Sequence, residues 1–334
     1  MKIAVISVTK QGDTIAEKIK QSLLIDIFSK SKTENFDINV ISKQCMESYS
    51  AIIYIASTGI AVRSIAPYIK SKDVDPAVIV IDCTGKYVIS LLSGHLGGAN
   101  ELATKLGELI DAQPIITTAS DNMGFIAPDM IAKNFGLEIE DLKKAKSIAA
   151  MLVAGKKVGF IDETSEIQCP KGYEVTSLEN SSNYEGVIYI SNKEIIDFPD
   201  NIVLKLIRKN IILGIGCRKN YDSLKMGEAV NKILKQYNID KRAIRCISTV
   251  EVKRDEAAII NLSHSLKCGL DIWGIHEIKH IQHKYVGSDF VEKTIGVRAV
   301  CEPCTELSSG ILLSEKICMD GMTLCLGTYK EEGI

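Results

Sequence analysis

The sequence lacks a long apolar run, a strong excess of charge and a regular cysteine framework. No apolar stretch approaches the ~20 residues that a membrane-spanning helix requires. Its 40 basic and 42 acidic residues nearly cancel, which argues against bulk attraction to nucleic acid or to an acidic membrane surface. The ten cysteines are scattered through a long chain, a pattern typical of reduced thiols in the cytosol. We therefore expect a cytoplasmic protein with no nucleic-acid partner and no membrane contact.

The sequence shows no internal repeat or low-complexity tract, and we expect no signal peptide at its start. The first eight residues form a short apolar run, and residues 11–13 end it before a signal-peptide core could form, so we interpret the run as a strand. Apolar residues make up 46% and charged residues 25% of the chain, as in ordinary globular proteins. The 334 residues are enough for two or three domains.

Short β-branched runs alternate with turns and helical stretches in the first part of the chain. Continuous Ile and Val runs are typical of strands buried on both faces, as in parallel sheets covered by helices. The predicted fold class is α/β, with a three-layer α/β N-terminal domain (1–124), a small middle segment (125–210) and a second α/β C-terminal domain (211–334). Turn residues at 198–201 mark the second boundary. The first predicted helix carries Ile15, Ile19, Leu23 and Ile27, and the early predicted strands span 3–8, 51–56, 77–81 and 87–92.

The strongest local signal is a glycine-rich loop after the strand at 87–92. Residues 91–103 read Leu-Leu-Ser-Gly-His-Leu-Gly-Gly-Ala-Asn-Glu-Leu-Ala, so a buried strand leads through a loop into a helix. Amide groups at a helix N-terminus favour carboxylates or phosphates, and glycines allow a ligand to approach the backbone. His95 can act there as a general base or acid, although a tight turn with an exposed histidine explains the pattern equally well. The candidate binding residues are Ser93, Gly94, Gly97, Gly98 and Asn100.

Two further loops place hydroxyl groups after predicted strands. The sequence Ser-Thr-Gly follows the strand at 51–56, and a polar stretch from 117 to 122 follows a predicted strand at 114–116. The first of these loops can also be a simple N-cap. Because ligands gather at the carboxyl ends of strands in open α/β sheets, we expect these loops and the glycine-rich loop to share one edge. The candidate binding residues are Ser57, Thr58, Gly59, Arg63, Thr117 and Thr118.

Two charged segments follow predicted strands of the C-terminal domain. The strand at 211–215 leads into Gly216, Cys217, Arg218 and Lys219, which lacks the third glycine of a dinucleotide fingerprint. The adjacent cations favour an anionic group, although solvated surface charges are equally common. The strand at 243–250 leads into a segment with Lys253 and Glu256, whose plain interpretation is a charged strand end and helix start. A short strand is also predicted at 299–300.

Residues 276–280 match the zinc-binding pattern H-E-x-x-H, which places His276 and His280 on one helical face. Lys279 puts a cation inside the metal-binding turn, and His283 stands where the extended metzincin motif requires glycine. We therefore favour an exposed polar helix and predict no metal site, keeping a zinc hydrolase as one hypothesis. A lone C-x-x-C, formed by Cys301 and Cys304, is adequately explained by small buried thiols.

The motifs together resemble the cobalt-precorrin-5A hydrolase family (CbiG). The N-terminal resemblance rests on residues 57–67, 75–78 and 91–103, and the C-terminal one on 213–218, 248–256 and 297–303. The middle segment matches mainly by position, and the string Ser-Gly-His-x-Gly-Gly-Ala-Asn is the most specific element. Cys304, where members often carry alanine, and the histidine-rich helix depart from the family pattern.

The resemblance implies hydrolysis of cobalt-precorrin-5A, a ring-contracted cobalt tetrapyrrole with a δ-lactone, in anaerobic cobalamin biosynthesis. Water opens the lactone and acetaldehyde leaves, which gives cobalt-precorrin-5B and makes the enzyme a hydrolase acting on a carbon–carbon bond. Cobalt arrives inside the substrate, so no cofactor is expected. A homodimer and transient contact with neighbouring pathway enzymes are compatible with this role. The alternative is a non-catalytic carrier of corrinoid intermediates.

Our mechanistic hypothesis assigns His95 as the base that activates water at the lactone carbonyl. Amides around Gly97 and Gly98 would stabilise the oxyanion. Cations and helix N-termini would bind the acetate and propionate groups of the substrate. The candidates for orienting or protonating groups are Asp82, Glu101, Glu256 and Glu302, and the candidate cationic anchors are Arg63, Arg218, Lys219 and Lys253.

Overall fold

The computed structural model describes residues 2–71, 74–118, 123–198 and 202–329. They fall into two compact units, the first built from residues up to 133 together with 152–155 and 170–172. The second unit contains 134–151, 156–169 and the residues from 173 onward. Residues 119–122 of the predicted polar loop and 199–201 of the predicted boundary lie outside the described residues.

The first unit has a three-layer α/β fold, as predicted. The strands alternate their side chains between two cores, one with Ile53 and Ile79 against α1 and α4, the other with Ile52 and Val78 against α2 and α3. The sheet order is β2-β1-β3-β4-β5-β6. The elements are β1 (Ile3–Ser7), α1 (Lys10–Lys20), β2 (Ile25–Ser29), α2 (Ile38–Ser48), β3 (Ala51–Ile55), α3 (Thr58–Ile65), β4 (Ala77–Ile81), β5 (Tyr87–Leu92), α4 (Ala99–Ile110), β6 (Gln113–Ile115) and α5 (Pro128–Asn134).

The prediction of one long first helix is wrong. Helix α1 ends at Lys20, and Ile27 belongs to β2, which pairs in parallel with β1. Apolar and polar residues alternate in the segment Ile-Asp-Ile, which suits an edge strand with one buried face.

Strand β5 runs antiparallel to β4, and β6 runs parallel to β5. Only residues 82–86 connect β4 to β5, whereas a parallel crossover needs a dozen or more residues. Asp82 closes this hairpin, because its Oδ1 accepts from the amide of Tyr87 at 2.7 Å and its Oδ2 from that of Thr84 at 2.9 Å. The carboxyl ends of β5 and β6 therefore lie at the edge opposite the carboxyl ends of β1 to β4.

The second unit contains two further sheets. The first has the order β7-β11-β10-β8-β9, and its strands β8 and β10 confirm the predictions at 157–161 and 186–191. Buried Lys205 on β11 lies 3.0 Å from Asp240, which belongs to the loop before β13. The elements are β7 (Glu138–Ile139), α6 (Leu142–Val153), β8 (Val158–Asp162), β9 (Glu174–Val175), β10 (Gly186–Ser191) and β11 (Ile202–Ile207).

The last sheet forms the second α/β domain that the sequence predicts. Parallel strands β14-β13-β12 continue through antiparallel β17 to β15, while β16 pairs with β17. The predicted strand at 299–300 is wrong, since these residues lead into α11. The elements are β12 (Ile211–Cys217), α7 (Ser223–Gln236), β13 (Ile244–Val250), α8 (Ala257–Leu266), β14 (Gly269–Trp273), α9 (Ile275–Ile281), α10 (Asp289–Ile295), α11 (Cys301–Leu307), β15 (Gly310–Leu312), β16 (Ile317–Met319) and β17 (Met322–Tyr329).

Each of the three sheets lies within one of the three predicted segments, although the domain boundaries themselves stay a prediction. All ten cysteines are free thiols. Across the described ranges, none of the helices has the length and apolar character needed to cross a membrane.

Candidate active site

The glycine-rich loop of the first unit lies at the edge of the sheet where β4 begins, because Leu92 pairs with Val78. His95 is half-buried in this loop. Lys133 stabilises the loop by donating from Nζ to the carbonyl oxygens of His95 at 3.3 Å and of Leu96 at 3.1 Å. The predicted residues that the structure brings together here are Ser93, Gly94, His95, Gly97, Gly98, Asn100, Glu101, Thr117 and Thr118.

A polar network joins the start of α4 to the end of β6. The Asn100 side chain accepts from Ser90 Oγ at 2.6 Å and donates to Thr118 Oγ1 at 2.8 Å. Asn100 is thus a structural residue that fixes the helix start against two strand ends. Glu101, in the first turn of α4, is exposed beside this network.

Backbone amides of the glycine-rich loop donate hydrogen bonds to carbonyl oxygens of the same loop. The Gly98 amide donates to His95 O at 3.0 Å and that of Asn100 to Gly94 O at 3.0 Å. Gly98 also has a φ of +83°, and a Cβ at Gly97 would lie 2.4 Å from the Cβ of Ser93. Both glycines are therefore required by the turn, and the expectation that the Gly98 amide faces the ligand as an oxyanion donor is wrong.

The remaining predicted residues of the first unit lie at the opposite edge. Ser57 is the N-cap residue of α3, and the Arg63 guanidinium lies over Gly59, where an added Cβ would be 3.3 Å from Nη2. Thr58 begins this helix, and Asp82 follows β4 at the same edge. The expectation that all these loops share one edge is therefore wrong, because β5 reverses the chain direction.

The position of Asp82 rules out a role in orienting His95. The five residues of β4 separate the two edges by ~15 Å at the usual rise of a strand. Burial raises the pKa of Asp82, but hydrogen bonds from Thr84 and from the Tyr87 amide outweigh it and lower the pKa. Asp82 is therefore an ionised turn residue.

The second unit contains a cavity of about 990 Å³ at the carboxyl ends of β12 and β13. Its walls come from residues 216–220, 250–256, 288–300 and 316–323. This is the position at which open α/β sheets bind ligands. Six predicted residues meet here, namely Gly216, Cys217, Arg218, Lys219, Lys253 and Glu256.

Cationic and apolar side chains share the walls of this cavity. Five cations and three acids line the cavity, and Glu302 and Asp289 lie behind the lining beside Lys316 and Arg298. The cations are Arg218, Lys219, Lys253, Arg298 and Lys316, and the acids are Asp255, Glu256 and Asp320. Apolar surface comes from side chains that include Val252, Phe290, Val291, Ile295 and Met319.

Glu256 fixes one wall of the cavity. Its Oε1 accepts from the Tyr221 amide at 3.0 Å, and its Oε2 accepts from the Asn220 amide at 3.2 Å and from Lys253 Nζ at 3.1 Å. The side chain is buried. Both carboxylate oxygens are thus engaged in holding the backbone of Asn220 and Tyr221, which makes Glu256 a positioning residue.

Cys217 and Glu302 complete the predicted set in this unit. Burial raises the pKa of the Cys217 thiol to about 11, with Lys253 opposing and Glu256 adding, so the thiol is neutral at physiological pH. Glu302 is buried on α11, where Oε2 accepts from Cys301 Sγ at 3.0 Å and Oε1 lies 3.5 Å from Lys316 Nζ. Glu302 does not line the cavity itself and instead forms an ion pair with Lys316, which does.

The glycines of β12 have different roles. An added Cβ at Gly214 would lie 2.0 Å from Cys301 O and 2.1 Å from Thr305 Oγ1, so Gly214 allows α11 to pack directly on the strand. Gly216 lines the cavity. The sequence analysis missed Phe290, Arg298 and Lys316. Phe290 lies on a helix of seven residues, and the other two lie in segments that connect elements, so no apolar period marks them.

The histidine pair lies on the exposed helix α9, with the Nε2 atoms of His276 and His280 3.0 Å apart. Within the parts of the chain that the structure describes, no three His, Cys, Asp or Glu side chains are grouped as metal ligands. A catalytic zinc requires three protein ligands. Helix α9 is exposed and polar, as the sequence predicts, with Ile278 as its buried residue.

Comparison with known proteins places the whole chain in one family. Family models match residues 40–121 (Cobalamin synthesis G N-terminal), 126–204 (Cobalamin biosynthesis central region) and 211–327 (Cobalamin synthesis G C-terminus). A cobalt-precorrin-5A hydrolase from Salmonella typhimurium is 34% identical, with 97% of each chain covered. One from Priestia megaterium is 29% identical over 92% of this chain and 89% of its own. A solved structure described as a cobalamin biosynthesis protein G homolog, from Sulfolobus solfataricus, is 22% identical over 98% and 97% of the chains with a TM-score of 0.41. The chain belongs to the cobalt-precorrin-5A hydrolase family.

Proposed function

We propose that this protein hydrolyses cobalt-precorrin-5A to cobalt-precorrin-5B and acetaldehyde. The observation that carries the proposal is similarity along the full chain, since two relatives that bear this name are each matched over nearly their whole length. Loops on both units match the family motifs, which a chance similarity in one domain would not produce.

The proposed reaction balances with water as the only co-substrate. Water adds to the lactone carbonyl, and the acyl–oxygen bond breaks to leave a carboxylate on the macrocycle and a hydroxyl on the extruded carbon. That hydroxyl then loses its proton while the carbon–carbon bond to the ring breaks. The extruded carbon and its methyl group leave as acetaldehyde, and the electron pair passes to the macrocycle.

The cavity of the second unit suits this substrate. Its volume of about 990 Å³ is at the upper end of the usual range for ligand sites. A tetrapyrrole combines an apolar ring with acetate and propionate groups, which matches a lining that is apolar and cationic. We propose Arg218, Lys219 and Lys253 as carboxylate anchors, since charge-assisted contacts of this type are strong.

We propose His95 as the base that activates water. It lies in a loop held by Lys133 and by bonds within the loop, so its imidazole is presented from a fixed backbone. Base catalysis by a positioned side chain contributes about 10²–10⁴ in rate. The family string around His95 supports the proposal independently of the cavity.

The test is anaerobic incubation with cobalt-precorrin-5A and detection of acetaldehyde through a coupled alcohol dehydrogenase. One acetaldehyde per substrate supports the hydrolase, whereas tight binding without acetaldehyde would establish a carrier. His95→Ala should lower kcat by about 100-fold or more with binding retained. His264→Ala, at an exposed position on α8, is the matched control, and equal rates for both variants would refute the base assignment.

We also propose that the protein works in the cytoplasm, which its ten free thiols support. A homodimer, transient contact with neighbouring pathway enzymes and the lack of a cofactor stay predictions. Activity that survives metal chelation would agree with the last of these.

A further inference from the structure

Two exposed apolar side chains line the cavity of the second unit. Phe290, on α10, is 76% exposed and Val252, in the segment after β13, is 50% exposed. Single exposed apolar residues are ordinary on protein surfaces. Two at the same cavity, with the half-buried Val291 and Ile295 on the same helix as Phe290, give the lining an apolar wall of the kind that marks a binding surface.

Hydrogen bonds hold the segment that precedes Phe290 in place. The Ser288 amide donates to Arg298 O at 2.8 Å, and Arg298 Nη2 donates to Asp289 Oδ1 at 2.8 Å. Lys316 Nζ donates to the carbonyl oxygen of Val286 at 2.7 Å. These contacts hold residues 286–289 against Arg298 and Lys316, so the backbone that carries Phe290 does not first have to be ordered by a ligand.

The cationic side chains in the other walls of the cavity indicate which ligand this apolar wall binds. Residues 216–220 and 250–256 supply Arg218, Lys219 and Lys253. A ligand that satisfies both parts of the lining has a flat apolar body and anionic groups at its margin. A carboxylated tetrapyrrole has this form, and an aromatic ring packs well on the face of such a macrocycle.

We propose that Phe290, assisted by Val252, packs against one face of the tetrapyrrole ring and positions it in the cavity. This inference rests on the proposed function and extends it to Phe290, which lies outside the family motifs. Phe290 acts by binding the ring, so its removal weakens substrate affinity and leaves the chemical step intact. Burial of a phenylalanine side chain is worth about tenfold or more in affinity.

The test compares Phe290→Ala, Phe290→Trp and the control Phe135→Ala, which removes a ring that is 48% exposed and does not line the cavity. We expect Phe290→Ala to raise KM for cobalt-precorrin-5A about tenfold with kcat within about twofold. Phe290→Trp should restore KM, and Phe135→Ala should match the wild type. The Phe290 ring is mostly exposed and contributes little to folding, so both Phe290 variants should unfold at the same urea concentration as the wild type.

Binding of uroporphyrin, a polycarboxylate tetrapyrrole with its own fluorescence, separates this inference from the proposed reaction. If the wild type releases no acetaldehyde but binds uroporphyrin, and Phe290→Ala weakens that binding, the function fails and the inference stands. An unchanged KM and an unchanged uroporphyrin affinity in Phe290→Ala would overturn the inference, even if acetaldehyde is produced normally. A fall in kcat alone would overturn it as well.

Discussion

Replacing Glu256 with glutamine separates a positioning carboxylate from a catalytic one. The substitution keeps the shape of the side chain and removes its charge. Glutamine retains one acceptor oxygen, so its amide nitrogen must face either the donors of Asn220 and Lys253 or that of Tyr221. At least one donor then loses its partner in a buried site.

The size of the effect follows from these contacts. Hydrogen bonds to a charged group contribute about 1.5–3 kcal/mol each, and removing one partner of a buried ion pair costs about 3–5 kcal/mol. The oxygen that glutamine retains offsets part of this, so Glu256→Gln should lower the free energy of unfolding by about 2–4 kcal/mol. The loop with Arg218 also loosens, and a loss of about 1.5 kcal/mol in one anchor corresponds to a roughly tenfold rise in KM.

Urea unfolding and initial rates of acetaldehyde release measure the two quantities. Glu228→Gln, at an exposed position on α7, makes the same chemical change and should leave both unchanged. A catalytic acid would behave differently, with kcat lower by about 10²–10⁴ and little change in stability. That result, with unfolding within about 0.5 kcal/mol of the wild type, would refute the positioning role.

Two other predictions concern the packing and charge of the second unit. Gly214→Ala should destabilise the protein by about 3 kcal/mol in urea unfolding, because the new methyl group meets the backbone of α11 at 2.0 Å. Gly227→Ala, with open space around it, is the control and should be neutral or slightly stabilising. Equal urea midpoints for the two variants would contradict this packing. Burial raises the pKa of Asp240, but hydrogen bonds from Arg242 and Lys205 outweigh it and lower the pKa to about 2 from 3.8. Because the pKa of Asp240 is lower in the folded state, its ionised form contributes about 2 kcal/mol to the free energy of unfolding above about pH 4, and this contribution is lost as the pH falls toward 2. Urea unfolding across this pH range measures the loss. An Asp240→Asn variant that keeps the full pH dependence would disprove the assignment to Asp240.

Much of the architecture could be predicted from local sequence alone. The Ile and Val runs of β1, β3 and β4 have few alternatives to strands buried on both faces, and the structure places them in the centre of the first sheet. The loops after β12 and β13 also meet at one cavity as the parallel-sheet rule requires. The resemblance to the family was visible in short motifs at turns and helix starts, such as the string at 93–100.

The direction of β5 was available in the sequence and was missed. Five connecting residues that contain Asp82 and Gly85 indicate a hairpin, and Gly85 adopts a φ of +72° in the turn. Once that direction is known, His95 and Asp82 fall at opposite edges of the sheet. The bounds of β4 and β5 were predicted correctly, but the short connection between them, which excludes a parallel crossover, was not used.

Other features were decided only by tertiary structure. The sequence offered Glu256 as a candidate orienting or protonating group. Its hydrogen bonds with the amides of Asn220 and Tyr221, distant along the chain, exist only in the folded structure and make it a positioning residue. Phe290 lies on a helix of seven residues, too short to show an apolar period, and its exposure at a cavity depends on four separate segments. Local pattern determines which residues form strands and helices, whereas the long-range contacts that satisfy a carboxylate or enclose a cavity exist only in the folded chain.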